Sequence, residues 1–387
     1  MKFPKVIGWP EGKKPVAPTG FAVDVLASDL ESPRWIYVLP NNDVLVSQAM
    51  TEQTPKADAA VEQGLRESGS LGRSPNQITL LRDADGDGSF EFRSVLLSNL
   101  KQPFGMTFIG DRLYVANTDS VVRYPFKPGD TKITARGEPI VQLPAGGYNN
   151  HWTRNVIASP KGDALYITVG SQTNVDEEGL DAKQPHRAAI LRANVDGSGL
   201  RVFASGLRNP NGMDVAEDGT LWTVVNERDM LGDDLVPDFL TSVRDGAFYG
   251  WPYSYFGQHE DPRQKGKRPD LVAKAVVPDL AVGAHTASLG LTFYRGSAFP
   301  DRYRGGAFIG QRGSWNRSMF SGYRVAFVPF ANGRPSGPPE DFLTGFVASE
   351  DRREVYGRPV GVATLRDGSL IVADDAGGRV WRVRRAG

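Results

Sequence analysis

Three observations predict an all-β chain, arranged as a six-bladed β-propeller in one domain spanning residues 1–387. No long stretch carries 3.6-residue apolar periodicity, and short strand-like runs recur instead. The runs are broken by Asn-Asp, Asp-Gly, Gly-Asp or Gly-Gly, the dipeptides of tight turns. Six segments then repeat one pattern: a small or polar lead-in, an alternating strand, a turn and a second strand. They are residues 33–47, 103–117, 153–170, 209–226, 288–310 and 358–374, with starts 50 to 79 residues apart. Repeats at that spacing bury their faces only against neighbouring repeats, which is the logic of a propeller. A decorated β-sandwich is the competing architecture, and six similar lead-ins weigh against it.

Residues 21–26 (FAVDVL) form an orphan strand at the start, and 380–383 (VWRV) form one at the end. Pairing the two in the last blade would close the ring and remove two open edges. The stretches at about 48–76 and 229–284 are expected to be loop insertions over one mouth of the channel. Just before or at the innermost strands stand Arg34, Gln102, His151 with Arg154, Arg208 with Asn209, His285 and Arg358. In a propeller those positions ring one end of the central channel. Polar groups repeated there from separate blades point to a site.

Composition narrows the partners. With 45 basic and 45 acidic residues, neither nucleic acid nor an anionic membrane is indicated. No apolar run approaches the ~18 residues of a membrane-spanning helix. Cysteine is absent, which rules out disulfides and thiolate metal sites. The opening Met-Lys-Phe-Pro has no apolar core of a secretory signal, as would also be so for a trimmed mature chain.

The densest chemistry lies in residues 206–252. Arg208-Asn209-Pro210 opens a hairpin that turns at Asp218-Gly219 and is followed by Glu227, Asp229, Asp233 and Asp234. A cation at the start of a hairpin and carboxylates just past its end suit an anionic ligand held with a divalent metal. A lone arginine is most often half of a surface ion pair. Arg208, Arg312, Arg317 and Arg358, at lead-ins or in one loop, make a pattern instead. His151 is the histidine whose ordinary titration near neutrality suits a general base at this end, and His285 is its only rival. Separately, Asp83, Asp85 and Asp87 alternate, with Gly88 in sixth place, as in the front half of a calcium-binding EF-hand loop. Position twelve is Ser94 and the flanks read as strands, so a hairpin turn with optional calcium is expected.

The order of these pieces resembles the soluble quinoprotein sugar dehydrogenases, or glucose/sorbosone dehydrogenases, which use pyrroloquinoline quinone (PQQ) and calcium. The matching segments are Asn150-His151, residues 206–212 (GLRNPNG), Asn226-Glu227, residues 232–234 (GDD) and residues 249–252 (YGWP). The resemblance implies oxidation of an aldose, or a sorbosone-like aldehyde sugar, at C1. His151 would be the base, and electrons would pass to an external acceptor. It implies that Arg208, Asn209, Arg358, Gln102 and either Arg317 or Arg312 bind PQQ, with Arg317 preferred. Carbonyls of Arg228 and Asp229 would hold the catalytic calcium, with the Asp229 carboxylate as an added ligand. A structural calcium is expected at Asp234 and the Tyr249 carbonyl, with Asp233 nearby. The acid that often supports the family's base is replaced here by residues 171–174 (SQTN), so Ser171, a water or another acid must orient His151. At position 360, where a second arginine sometimes stands, this chain has Val360. A periplasmic or secreted location is the corresponding expectation. A calcium-dependent lactonase and a non-enzymatic binding propeller are the alternatives, and lead-ins of Arg and His disfavour the first.

Overall fold

A computed structural model of the chain describes residues 1–52, 59–146 and 151–386. Asn150, part of the Asn-His match, lies outside them. The described chain is almost entirely β, and most of its strands group into six four-stranded sheets in chain order, with three smaller sheets besides. The first comprises Pro33–Val38, Val44–Gln48, Gln77–Arg82 and Phe92–Leu97, and the second Met106–Ile109, Arg112–Ala116, Ser120–Pro125 and Glu138–Gln142. Val156–Ala158, Ala164–Val169, Ala189–Asn194 and Arg201–Ser205 make the third. The fourth holds Pro210–Val215, Leu221–Val225, Pro237–Ser242 and Leu280–Ala284. In the fifth are Ser288–Phe293, Ala307–Gln311, Arg324–Val328 and Glu340–Leu343. The sixth joins Pro359–Thr364, Leu370–Asp374 and Arg379–Arg385 to Phe21–Ala27 from the other end of the chain.

Each of the six repeated segments read from the sequence is the first hairpin of one sheet. The two ends of the chain pair antiparallel, Val23 opposite Val383. Residues 229–284, expected as a loop, are not a loop throughout, because Pro237–Ser242 and Leu280–Ala284 are the outer half of the fourth sheet. Residues 238–242 are buried on both faces, so their sequence carries no period-2 alternation to mark a strand. The 48–76 insertion likewise contains a helix, α1 (Ala59–Glu67).

Apolar side chains explain how the sheets sit together. Among the described residues, six buried clusters each join one sheet to the next. Leu45 with Leu113 joins the first to the second, Tyr114 with Ile167 the second to the third, and Ile190 with Phe239 the third to the fourth. Val224 with Ile309 links fourth to fifth, Phe327 with Trp381 fifth to sixth, and Ala373 with Val46 sixth to first. Burying each such side chain contributes roughly 1.5–3 kcal/mol, so the sheets stabilise one another rather than themselves. The first strands of all six sheets line one cavity of about 690 Å³, through Ile36, Met106, Ile157, Val215, Phe293 and Ala363.

The lead-ins are shaped by two backbone features. Pro33, Pro210 and Pro359 each stand first in a strand, where a missing N–H costs no ladder bond. The register then slips within the first residues of those strands, as it does between Ser288 and Gly290 in the fifth sheet. Such bulges bend a strand end and re-aim its side chains. The first strands also approach very closely. A Cβ on Gly290 would stand 2.0 Å from the Val360 carbonyl oxygen. Gly290→Ala is therefore expected to destabilise the protein by about 1–3 kcal/mol, the usual cost of overpacking, with strand content retained. A melting temperature equal to wild type would show that the fifth and sixth sheets can part freely.

Candidate active site

In each sheet the first strand begins, and the second ends, at the same edge, because the two are antiparallel. Lead-ins to first strands and exits from second strands therefore meet. At that edge lies a cavity of about 210 Å³ whose polar side is formed by His151, Arg208, Asp229, Arg312, Arg358 and Ser70. His151 and Arg208 precede first strands, as does Arg358, whereas Asp229 and Arg312 follow second strands.

His151 is buried, and its Nδ1 lies 2.9 Å from the Ser171 carbonyl oxygen and 3.0 Å from Ser171 Oγ. Ser171 Oγ donates to the Thr173 carbonyl. A carbonyl only accepts, so Nδ1 carries the proton and Nε2 is the acceptor nitrogen of the ring. Serine thus orients the histidine, and it does so mainly through its backbone. Burial, and then the Arg208 charge, hold His151 well below the ordinary 6.5, so it is more firmly neutral than an unperturbed histidine.

Arg208 is also buried, inside a dense network. It donates to the Glu227 carbonyl at 2.6 Å, to Asn174 Oδ1 at 2.9 Å and to the Asp229 carboxylate at 2.8 Å. Asn174 reaches back to the Asp229 backbone at both N–H and carbonyl, and accepts Trp251 Nε1 on its own carbonyl. The Asp229 carboxylate further accepts Asn316 Nδ2 at 2.6 Å and faces His285 Nδ1 at 3.6 Å. Burial pushes Asp229 up, but the charges of Arg208 and His285 more than offset it and hold the carboxylate ionised. Its backbone carbonyl already accepts both Asn174 Nδ2 and Arg228 Nη1. Asn209 is buried beside Arg208, with its Oδ1 unpartnered. Behind this network, burial raises Glu227 to about 7 and Asp238 to about 6. The Asp238 carboxyl accepts the Glu227 N–H, so the two acids are close and disfavour each other's ionisation.

The second cationic centre is made by Arg34, Arg312 and Arg358 on one carboxylate, Asp375, at 2.6, 2.5 and 3.2 Å. Ser70 Oγ accepts from Arg312 at 3.1 Å and from Arg358 at 3.0 Å. Burial pushes Asp375 up, yet the three guanidinium groups pull it far below the usual carboxylate range. Burial and the neighbouring Arg312 charge bring Arg34 down to about 9 and Arg358 to about 10. Two buried guanidinium nitrogens, Arg34 Nε and Arg358 Nη2, have no hydrogen-bond acceptor. Three cations share one anion, and donors remain unused.

Other residues singled out in the sequence fall elsewhere. Arg317, itself half-buried, pairs with the exposed Asp234 at 2.9 Å, and it is Arg312 that lines the cavity. Gln102 donates to the Met50 carbonyl and does not line the cavity. Arg228 is committed to Asp261 by two hydrogen bonds. Asp234 is exposed, Asp233 accepts from Ser318, and Tyr249 is packed in the core with its hydroxyl donating to Ser242. Asp233 and Asp234 thus have their partners in the loop of Arg317 and Ser318. Asp83, Asp85 and Asp87 do converge, and Glu91 joins them within 4.8 Å. Val360 is buried in the apolar cluster of the first and second sheets.

Reading lead-ins alone missed Asp375, Ser70, Asn174 and Asn316. Asp375 carries a signal that could have found it, shared with Ser171 and Asp229: a polar residue just after a second strand.

A family profile described as TrAA12-like matches residues 72–238 and 258–386. An uncharacterized protein of Borreliella burgdorferi is 28% identical over 301 residues, covering 74% of this chain and 77% of its own. Among solved structures, the holo form of the pyranose dehydrogenase PQQ domain from Coprinopsis cinerea superposes with a TM-score of 0.75 at 22% identity, over 99% of this chain and 100% of that one. The calcium structure of the Trichoderma reesei carbohydrate-active enzyme of family AA12 gives 0.75 at 18%, over 96% and 97%. The apo soluble aldose sugar dehydrogenase of Escherichia coli gives 0.66 at 18%, over 95% and 100%. At these identities the likeness is one of fold.

The buried acids make a test of the site's electrostatics. Glu227 sits at about 7 when folded, above its ordinary 4.5, so the folded state holds this proton more tightly. The associated stability is present below about pH 4.5 and lost as pH rises through 7. Glu227→Gln removes that loss. The fall in unfolding free energy between pH 5 and 8 should shrink by on the order of 2 kcal/mol. An unchanged pH slope in denaturant titrations would place the Glu227 carboxyl in a more polar setting than its burial implies.

Proposed function

Because the chain belongs to the TrAA12-like family, we propose that it is a PQQ- and calcium-dependent sugar dehydrogenase oxidising aldoses, or sorbosone-like aldehyde sugars, at C1. Electrons would pass to an external acceptor, in the periplasm or outside the cell. On this reading the six sheets are blades of one closed ring in a single domain, with the site at the mouth where lead-ins meet.

The observation that carries the reading is the cationic centre. Arg34, Arg312 and Arg358 exceed Asp375 by two charges in a buried setting, and Arg358 Nη2 is an unused donor beside the cavity. Desolvated cations in excess cost several kcal/mol each unless an anion joins them. A ligand with three carboxylates meets that need, and guanidinium forks bind carboxylates bidentately. Arg312 and Arg358, steadied by Ser70, would hold one end of PQQ, and Arg208 another. For calcium the fit is through the Asp229 carboxylate, since the Asp229 carbonyl is already taken by two donors. A cation there would also draw Asp229 away from Arg208 and free that guanidinium for the ligand. Gln102 has another partner, which leaves it a supporting role, and the Arg228 carbonyl, whose side chain is held by Asp261, would remain a calcium ligand. A hydrolytic metal centre fits less well, because among the described lining residues Asp229 is the one carboxylate, beside three arginines.

When bound, PQQ supplies the hydride acceptor and calcium the positive charge that polarises its quinone oxygen. The part left to His151 is proton removal, with Nε2 taking the proton of the C1 hydroxyl as that carbon is oxidised. Its depressed basicity keeps it unprotonated into acidic solution, and the Ser171 carbonyl fixes the ring by holding Nδ1–H. The loop bearing Asp83, Asp85, Asp87 and Glu91 would take calcium independently of the reaction.

Dye-linked oxidation of aldoses by cofactor-free protein should appear only when PQQ and calcium are both supplied. Arg358→Ala should weaken PQQ binding by about 2–3 kcal/mol, while Arg317→Ala leaves it within about twofold. Equal losses at the two arginines, or lactone hydrolysis without PQQ, would refute the reading.

A general base typically supplies ~10²–10⁴ in rate. His151→Gln should therefore lose about that factor in turnover and still bind PQQ. His285→Gln should change apparent sugar affinity more than turnover. Turnover lost in the His285 variant and kept in the His151 variant would move the base to the fifth sheet.

A further inference from the structure

The partner of His151 Nδ1 is a peptide carbonyl, that of Ser171 at 2.9 Å, where a base of this kind often has a carboxylate. That carbonyl is one half of a peptide group, and the other half has a partner of its own. The Gln172 N–H donates to Asp181 Oδ1 at 2.5 Å. The Ser171–Gln172 bond is trans, so its C=O and N–H point to opposite sides of one planar, conjugated unit. The His151 ring and the Asp181 carboxylate therefore sit at the two ends of the same peptide group.

The loop after Ala164–Val169 is folded to bring that carboxylate in. Asp181 is buried, and it also accepts the Thr173 N–H at 3.0 Å and the Thr173 hydroxyl at 2.7 Å. Its own N–H donates to the Asp176 carboxylate at 2.8 Å, and the Asp176 N–H donates to Thr173 Oγ1 at 2.8 Å. The neighbouring peptide is pinned as well, since the Ser171 N–H donates to the Arg208 carbonyl at 2.7 Å. Gly170 allows the close approach, because a Cβ there would lie 2.6 Å from His151 Cβ. The peptide between Ser171 and Gln172 is thus bonded at both of its ends.

We infer that Asp181 is a positioning residue for His151, a remote acid that acts on the base through the Ser171–Gln172 peptide; this rests on the reading that His151 removes the sugar proton. One part of the role is geometric. A carbonyl fixed by Asp181 keeps the ring proton on Nδ1 and leaves Nε2 as the acceptor. The other part is electronic. Hydrogen bonds in a chain polarise one another, so a carboxylate on the N–H makes the carbonyl oxygen a better acceptor for Nδ1–H. That matters most when Nε2 takes the proton and the ring becomes cationic. The charges acting directly on the ring are Arg208 and Arg187, which oppose its protonation, and Asp229, which favours it. Asp181 attracts Arg187 and so also offsets one of the two opposing cations.

The experiment compares wild type with Asp181→Asn, which keeps the shape and an oxygen for the Gln172 N–H but removes the charge. Thr173→Val is the control: it takes one donor from Asp181 and loosens the same loop, leaving the Gln172 contact in place. The first readout is the His151 Nδ1–H resonance in cofactor-free protein with 15N-labelled histidine, identified by its absence from His151→Gln. It should move upfield in Asp181→Asn and stay in place in Thr173→Val. The second is glucose oxidation with PQQ and calcium loaded. There kcat should fall about tenfold in Asp181→Asn and less than about threefold in Thr173→Val. KM, and PQQ affinity by fluorescence titration, should stay within about threefold in both. Asp181→Glu retains the charge and should lie between wild type and Asp181→Asn in both readouts. Equal effects of Asp181→Asn and Thr173→Val would make Asp181 a brace for its loop and overturn the inference. Turnover of Asp181→Asn within about twofold of wild type overturns it whatever the spectrum shows. A wild type that oxidises no aldose sinks the functional reading, and with it any role of Asp181 in turnover. The spectrum needs neither cofactor nor sugar, so it still decides whether Asp181 holds the ring through the peptide.

Discussion

One carboxylate, Asp375, holds three guanidinium groups at 2.6, 2.5 and 3.2 Å, two of them buried and the third, on Arg312, half-buried. Without it Arg34, Arg312 and Arg358 would repel one another in a setting with little water to screen them. Those arginines belong to the first, fifth and sixth sheets, so the contact also ties three separate sheets at one edge. Asp375 neutralises only one of the three charges. Structure and ligand recognition therefore depend on the same ion cluster, and the uncompensated charge is what an anionic ligand would meet.

A second network on the polar side of the cavity is arranged around Arg208 with a different balance. There the cation is fully occupied, by Asp229, Asn174 and the Glu227 carbonyl. The contrast separates two roles. The Asp375 cluster is preformed and short of anions, whereas Arg208 must exchange Asp229 for a ligand. His151 lies near the second network, and the Arg208 charge helps to keep its ring neutral. Burial also raises the titration points of nearby Glu227 and Asp238, a cost common where polar groups crowd beneath a site.

Much of this was legible in the amino-acid sequence. Alternating runs around turn dipeptides located the first hairpin of all six sheets, since period-2 patterning and turn chemistry are local properties. They did not locate Pro237–Ser242, which is buried on both faces and so has no alternation to read. Arg208, Arg358, Arg312 and His151 were found because they sit at lead-ins of the repeat or in a loop beside them. In sequence Arg317 was preferred to Arg312, five residues before it in one loop, and only the path of that loop puts Arg312 on the cavity instead.

By itself, then, the sequence determined the strand-rich repeat, the pairing of the chain ends and the residue types gathered at the lead-ins, because each is encoded within a few residues or by repetition. Tertiary structure alone decided which of those residues share a cavity. It brought Asp375 among three arginines, set the Ser171 carbonyl on His151 Nδ1 and laid Phe3 across Gly64. Those pairs are separated by up to 341 positions along the chain. Contacts at that distance depend on how the sheets pack, and no local pattern records them.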